Sequence, residues 1–325
     1  MEFYLGTWQV APSDGFWTDQ DISESEKVIS QAVRMGICGF DTAQSYGKGR
    51  SEQTLAKVLR RFRSLSKPSN VSSVSKPTKP SSFSKPSKTF QIDTKVMPST
   101  KSVLEIFKIS QTRLSPFSID CLYLHWPRSG VDHVAFLRQM EDLRAQGIIC
   151  KVGICNMPLG DLEGVVASGI VVDRIQIPLS LLWTRDLAET KAFCKENNIR
   201  IAAYSPTGMG LLSGKYKESA DLSDNRAGLF CFRESCHRQY LELLELLKEI
   251  SEAHKTSCTK VALAWTASQE PDIILIGARN TEQLKQNLSD PVSLTQTELS
   301  DLSAAAQKLD EKSRKICSNI FSYDF

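Results

Sequence analysis

No stretch of the sequence stays apolar for the ~18 residues that a membrane-spanning helix needs, so no transmembrane segment is expected. The opening Met1-Glu2-Phe3-Tyr4-Leu5 lacks a basic segment followed by an apolar run, which argues against a secretory leader. No Cys-x-x-Cys pair occurs among the nine cysteines, and their spacing is irregular. Reduced thiols in a cytoplasmic protein therefore fit better than a disulfide framework. Cys231, Cys236 and His237 lie close together, but a structural zinc site needs about four well-spaced ligands, so no metal is expected. Acidic residues are missing from one segment altogether: Arg60 to Lys88 holds eight basic residues and no Asp or Glu. Without those eight, the formal charge of +3 becomes −5. The body of the protein is then mildly acidic, and nucleic acid is not an expected partner.

What is present suffices for a large core. The chain has 325 residues, 41% hydrophobic and 24% charged, too apolar for global disorder. Its length suits one α/β barrel, which takes roughly 250 residues plus insertions. Short apolar runs alternate with amphipathic stretches. Strands are expected at residues 3–7, 38–41, 90–95, 119–125, 148–154, 174–177, 200–204 and 273–276. Helical periodicity lies between them, at 23–35, 51–63, 100–114, 131–145, 159–167, 187–196, 240–253, 259–268 and 281–288, with a further helix at 297–309. Eight strands alternating with helices favour a closed parallel (β/α)8 barrel, a TIM barrel, over an open sheet.

A doubly wound dinucleotide fold is the rival reading. Gly208-Met209-Gly210-Leu211-Leu212-Ser213-Gly214 approaches its glycine-rich turn, but the last spacing is one residue too long and Pro206 interrupts. The stretch reads better as a phosphate-contacting loop of a barrel.

One segment does not fit a compact domain. Residues 64–89 are rich in Ser, Lys and Pro and repeat Ser-Lys-Pro every nine residues, at Ser66, Ser75 and Ser84. So polar a composition cannot bury enough surface to offset its ordering entropy, so a disordered insert is expected. A basic docking or phosphorylation segment, offering a possible protein partner, is the functional alternative. It joins a helix to the next strand, which in a barrel places it on the face away from the active site.

Reducing a carbonyl requires an acid for the developing alkoxide. A tyrosine can serve if a nearby cation eases proton loss, a carboxylate holds that cation, and a neutral histidine orients the carbonyl oxygen. In a barrel these groups belong at the C-terminal ends of different strands. Asp41 ends the second strand in Gly39-Phe40-Asp41-Thr42-Ala43, and Tyr46 follows in Tyr46-Gly47-Lys48-Gly49-Arg50-Ser51-Glu52. Lys95 closes the third strand, and His125 closes the fourth in Asp120-Cys121-Leu122-Tyr123-Leu124-His125-Trp126-Pro127.

Taken together and in this order, these motifs resemble the aldo-keto reductase family over nearly the whole chain except 64–89. The resemblance implies direct hydride transfer from NADP(H) to a small carbonyl substrate. Tyr46 would be the general acid, Lys95 would lower its pKa, Asp41 would hold Lys95 and His125 would position the carbonyl. It implies further cofactor residues: Thr7 and Trp8 near the nicotinamide, Asn156 and Gln176 on its carboxamide, and Tyr204 stacked upon it. Ser205, Gly208, Leu211, Ser213 and Lys215 match the pyrophosphate loop. The segment from Gly277 to Arg279 leads into a helix N-terminus suited to phosphate. Arg279 and Gln283 would face the adenosine 2′-phosphate and Asn287 the adenine, and the guanidinium favours NADPH over NADH.

Several departures from the family pattern stand out. Cys155 stands where a serine is usual, and a thiol is a weak donor. The first strand starts almost at Met1, so the β-hairpin that commonly caps the barrel floor is expected to be reduced or missing, with lower stability or with capping by the insert or a partner. The region after Glu311 is short, which implies broad specificity. The resemblance also admits sugar oxidation in the reverse direction, and a cofactor-binding regulatory subunit like the potassium-channel β subunits, which resemble the family.

Overall fold

The computed structural model describes residues 1–13, 15–64 and 90–321. The Ser-Lys-Pro segment read as a disordered or docking insert lies outside the described residues from 65 onward. Eight parallel strands form a closed barrel in sequence order: β1 (Glu2–Gly6), β2 (Gly39–Asp41), β3 (Gln91–Val96), β4 (Cys121–Leu124), β5 (Lys151–Cys155), β6 (Arg174–Pro178), β7 (Arg200–Tyr204) and β8 (Ile273–Ile276). Strand β8 closes on β1 with Leu5 opposite Ile276, while Gly6 pairs with Asp41 of β2. The expected (β/α)8 barrel is therefore present. Among the described residues no strand precedes β1.

The strands alternate between two environments, as period-2 side chains must. Leu122 and Leu124 of β4 pack outward into the apolar layer beneath the helices, whereas Cys121 and Tyr123 meet Cys155 inside the barrel. The interior is partly ionic. Arg174 Nη1 lies 2.8 Å from Asp93 Oδ2 and Nη2 lies 3.1 Å from Asp120 Oδ2. Two tyrosine rings fill the rest of this layer by lying over glycines. A Cβ on Gly39 would fall 2.2 Å from the Tyr4 ring, and one on Gly153 would fall 2.3 Å from the Tyr123 ring.

The helices cover the outside: α1 (Ile22–Arg34), α2 (Arg50–Ser64), α3 (Val103–Leu114), α4 (His133–Ala145), α5 (Leu159–Ala167), α6 (Leu187–Glu196), α7 (Glu234–Ala253), α8 (Cys258–Ser268), α9 (Thr281–Asn287) and α10 (Gln296–Ser313). Their starts follow capping chemistry. Asp21 accepts from the Ser23 N–H at 2.7 Å at the head of α1, and Ser102 with Glu105 forms a reciprocal capping box on α3.

Several boundaries differ from the periodicity, and three of them have a visible cause. Helix α7 starts six residues earlier than expected, because Cys236 and Tyr240 continue the buried stripe of Leu243, Leu244 and Leu247 beneath a polar run. Helix α10 runs four residues further, where Asp310 receives Arg314 at 2.8 Å. Strand β5 begins only at Lys151, because the Ile148 N–H still bonds the Leu143 carbonyl of α4 at 2.9 Å.

Candidate active site

The strand ends at one mouth of the barrel bring Asp41, Tyr46, Lys95 and His125 together. Lys95 points up the barrel axis, and its ammonium is almost wholly enclosed. Its Nζ donates to Asp41 Oδ1 at 2.5 Å, to the Thr42 carbonyl at 2.8 Å and to the Tyr46 hydroxyl at 3.3 Å. The other Asp41 oxygen accepts from Gln176 Nε2 at 2.5 Å. The Tyr46 and His125 rings meet edge to face, with centroids 5.6 Å apart. His125 Nδ1 lies 3.4 Å from Ser45 Oγ.

The neighbouring motif residues fix this frame. Thr7 donates from both its backbone N–H and its hydroxyl to the Asp41 carbonyl, each at 2.9 Å. Ser51, at the head of α2, donates to the Thr7 carbonyl at 2.8 Å. Glu52 beside it is fully buried. It accepts from the Thr94 hydroxyl at 2.8 Å and from Arg113 Nη1 at 3.1 Å. The Ser-Glu pair thus ties α2 to β1, β3 and α3 and stands outside the reacting group.

Burial sets the protonation states. It pushes the Tyr46 hydroxyl up to about 12, although Lys95 pulls the other way. The net direction is thus opposite to the lowering expected from Lys95 alone, and Tyr46 keeps its proton at neutral pH. Burial works against the Lys95 ammonium, yet Asp41 and the groups around it outweigh that and hold it charged. Burial, then repulsion from Lys95, keeps His125 well below the usual imidazole range, hence neutral. Burial also holds Cys155 as a thiol.

A cavity of about 720 Å³ runs from these groups toward β8. Thr7, Trp8, Asp41, Asn156, Gln176, Tyr204, Ser205, Ser213, Lys215, Gly277, Arg279, Gln283 and Asn287 all line it. Gly208 and Leu211 are not among its lining residues: Gly208 packs against Leu182, and Leu211 is buried with its carbonyl taken by Tyr240. Asn156 and Ser205 follow strands β5 and β7 directly, with φ of 59° and 52°. Left-handed backbone at two non-glycine residues costs free energy, and such strain concentrates where side chains must be aimed. Asn156 Oδ1 accepts from the Tyr204 hydroxyl at 2.6 Å, and its Nδ2 donates to the His125 carbonyl at 3.1 Å.

The lining residues suit an elongated dinucleotide with an amide at one end and phosphates further along. Amides sit beside Tyr46, and three cations, Lys215, Arg226 and Arg279, lie along the remainder.

Several cavity residues carried no sequence signal. Arg226 is buried, chelated by Asp224 at 2.8 Å, and sits 4.6 Å over the Trp17 ring. It lies in irregular chain between β7 and α7, where no periodicity marks a position. Phe321, near the end of the described chain, packs its ring against Trp8, Phe16 and Trp126 above Tyr46. Among the described residues no three His, Cys, Asp or Glu side chains converge for a metal. Among the same residues no helix is long and apolar enough to cross a membrane.

Residues 2–307 match the model of the Aldo/keto reductase family. An NADH-specific methylglyoxal reductase of Escherichia coli is 26% identical over 289 residues, which covers 88% of each chain. Two solved structures share the fold. A glycerol dehydrogenase from Gluconobacter oxydans has a TM-score of 0.72 at 23% identity, covering 94% of this chain and 91% of that one. An aldo/keto reductase from Klebsiella pneumoniae, in complex with NADP and acetate, has a TM-score of 0.64 at 18% identity, covering 93% and 90%.

Proposed function

Because this chain belongs to the aldo/keto reductase family, we propose that it is an NADPH-dependent oxidoreductase that reduces aldehydes or ketones to alcohols, with Tyr46 as general acid. The observation that carries this reading is the Tyr46 hydroxyl, protonated and 3.3 Å from a buried ammonium, at one end of a dinucleotide-sized cavity. A nicotinamide dinucleotide bound there supplies the hydride.

The side chains divide the remaining work. Tyr46 donates its proton to the carbonyl oxygen as negative charge develops on it. Lys95 stabilises the phenolate left behind, and Asp41 neutralises Lys95 in a setting where an unpaired charge would be costly. Neutral His125 positions the carbonyl oxygen by a hydrogen bond. Asn156 and Gln176 hold the carboxamide; with Gln176 Nε2 committed to Asp41, its carbonyl is the acceptor. Thr7 and Trp8 flank the nicotinamide and Tyr204 offers it a ring. Ser205, Ser213 and Lys215 would meet the pyrophosphate, while Gly208 and Leu211 lie behind that lining. Gly277, Arg279 and Gln283 receive the adenosine 2′-phosphate, and Asn287 the adenine.

The test is NADPH oxidation against a panel of aldehydes, ketones and sugars, with Tyr46→Phe as the control. Full activity in Tyr46→Phe on the best substrate sinks the mechanism. One relative carries an NADH-specific name, so NADH belongs in the same assay.

A further inference from the structure

Arg279 is already engaged by a dipeptide from the other side of the cavity. Asp19 and Gln20 lie in the loop between β1 and α1. Asp19 Oδ1 accepts from Arg279 Nη2 at 2.8 Å, and Gln20 Oε1 accepts from Arg279 Nε at 2.9 Å. Gln20 Nε2 donates in turn to the Arg279 carbonyl at 2.9 Å. Gln20 is itself buried and holds Arg279 at both Nε and the backbone carbonyl, which leaves Nη2 facing Asp19. The bond from Arg279 holds the Asp19 carboxyl below the usual carboxylate range, and Arg226 adds to that pull. A full negative charge therefore stands at the Arg279 fork near neutral pH.

The loop that carries Asp19 is held in place elsewhere as well. The Asn225 N–H donates to the Gly15 carbonyl at 2.9 Å, and the Arg226 guanidinium lies over the Trp17 ring. The backbone that carries Asp19 is thereby kept beside Arg279.

We propose that Asp19 is a specificity determinant of the dinucleotide site, offsetting the preference for a 2′-phosphate that Arg279 would otherwise impose. This rests on the functional reading above, in which Arg279 faces that phosphate. A guanidinium binds a phosphate best with two parallel N–H groups of one edge. Here Nη2 is shared with Asp19, so a 2′-phosphate must displace the carboxylate or sit beside it. Displacement leaves a tethered anion next to a dianion, and sharing leaves two anions on one fork. NADH carries a ribose hydroxyl at that position and meets neither cost. Asp19 therefore narrows the gap between NADPH and NADH without closing it.

The side chain of Asp19 is 65% exposed, so solvent screens the effect and its size is modest. Asp19→Asn should tighten NADP⁺ about 5-fold, the upper range for an exposed ion pair, and leave NAD⁺ unchanged. Dissociation constants measured on the full chain by tryptophan fluorescence quenching read this directly. Calorimetry with adenosine 2′,5′-bisphosphate and 5′-AMP reads it without the nicotinamide. Asp19→Ser should reproduce the shift, and adding Arg279→Ala should abolish it. An unchanged NADP⁺ to NAD⁺ ratio in Asp19→Asn, or a shift that survives Arg279→Ala, overturns the inference while leaving the reductase reading intact. If the wild-type chain binds neither dinucleotide, the reductase reading itself fails and this inference falls with it.

Discussion

Gln176 Nε2 donates to the Asp41 carboxylate oxygen that Lys95 leaves open, at 2.5 Å. One amide thereby serves two neighbours: its N–H steadies the buried carboxylate, and its carbonyl is turned toward the cavity. Gln176→Leu should lower stability by about 2 kcal/mol, as expected when a buried charged acceptor loses its donor. It should also weaken dinucleotide binding. Thermal melts and binding titrations on the same preparation check both effects. A variant that binds the dinucleotide as tightly as wild type removes Gln176 from the cofactor site.

The Tyr46 hydroxyl, raised to about 12 by burial, gives the two reaction directions different pH profiles. With Tyr46 as the proposed general acid, reduction would use the protonated form, which persists well above neutral pH, and neutral His125 would add no transition on the acid side. The kcat/KM for a carbonyl should stay level from pH 6 to about pH 10. Alcohol oxidation uses the phenolate, whose fraction grows about tenfold per pH unit below its pKa. A reduction profile that falls with a midpoint near pH 8 contradicts this assignment.

Glu52 lies outside the reacting group but anchors it. Glu52→Ala removes a buried carboxylate that serves Thr94 and Arg113. Arg113 is partly solvated, so the loss should be about 2 kcal/mol, below the ~3–5 kcal/mol of a fully buried broken pair. Chemical denaturation measures it. Because α2 positions the loop that carries Tyr46, kcat should fall more than dinucleotide affinity.

Gly39→Ala forces a methyl group into the Tyr4 ring, 2.2 Å from its nearest atom. Overpacking of this kind typically costs ~1–3 kcal/mol, and the upper end is expected inside a closed barrel. Adding Tyr4→Leu should recover part of the loss. If the double variant melts below the single one, the clash is not the cause.

Asp93 is pushed up to about 7 by burial, against the pull of Arg174. A carboxyl raised on folding favours the folded state most when protonated. Its contribution is complete below about pH 4, declines as pH rises and is gone above about pH 7. Asp93→Asn should flatten the pH dependence of Tm across that window. An unchanged slope assigns the titration elsewhere.

The fold was readable because its signals are local. Each of the eight strands is a short apolar run, and each helix between them keeps a 3.6-residue stripe. Two boundaries slipped for physical reasons: a polar surface masks the stripe at Cys236, and the end of a helix consumes an apolar residue at Ile148. Asp41, Tyr46, Lys95 and His125 were visible as motifs at strand ends, and they do converge. The protonation state of Tyr46 was not visible, because it depends on enclosure by side chains distant in sequence. Asp19 and Arg226 were equally silent. Both sit in irregular loops, and their importance comes from Arg279 and Trp17, each far away along the chain.

The barrel carries its charges in a column. Asp93 and Arg174 occupy the lower interior, Asp41 and Lys95 the upper, and each pair lies within the other's field. Because both pairs are buried, the lower pair is a bias applied to the upper one. The proton affinity of the reacting end is then a property of the whole column. A neutral substitution at Arg174, remote from the cavity mouth, would be felt at Asp41, the partner of Lys95, as though a nearby dial had been turned.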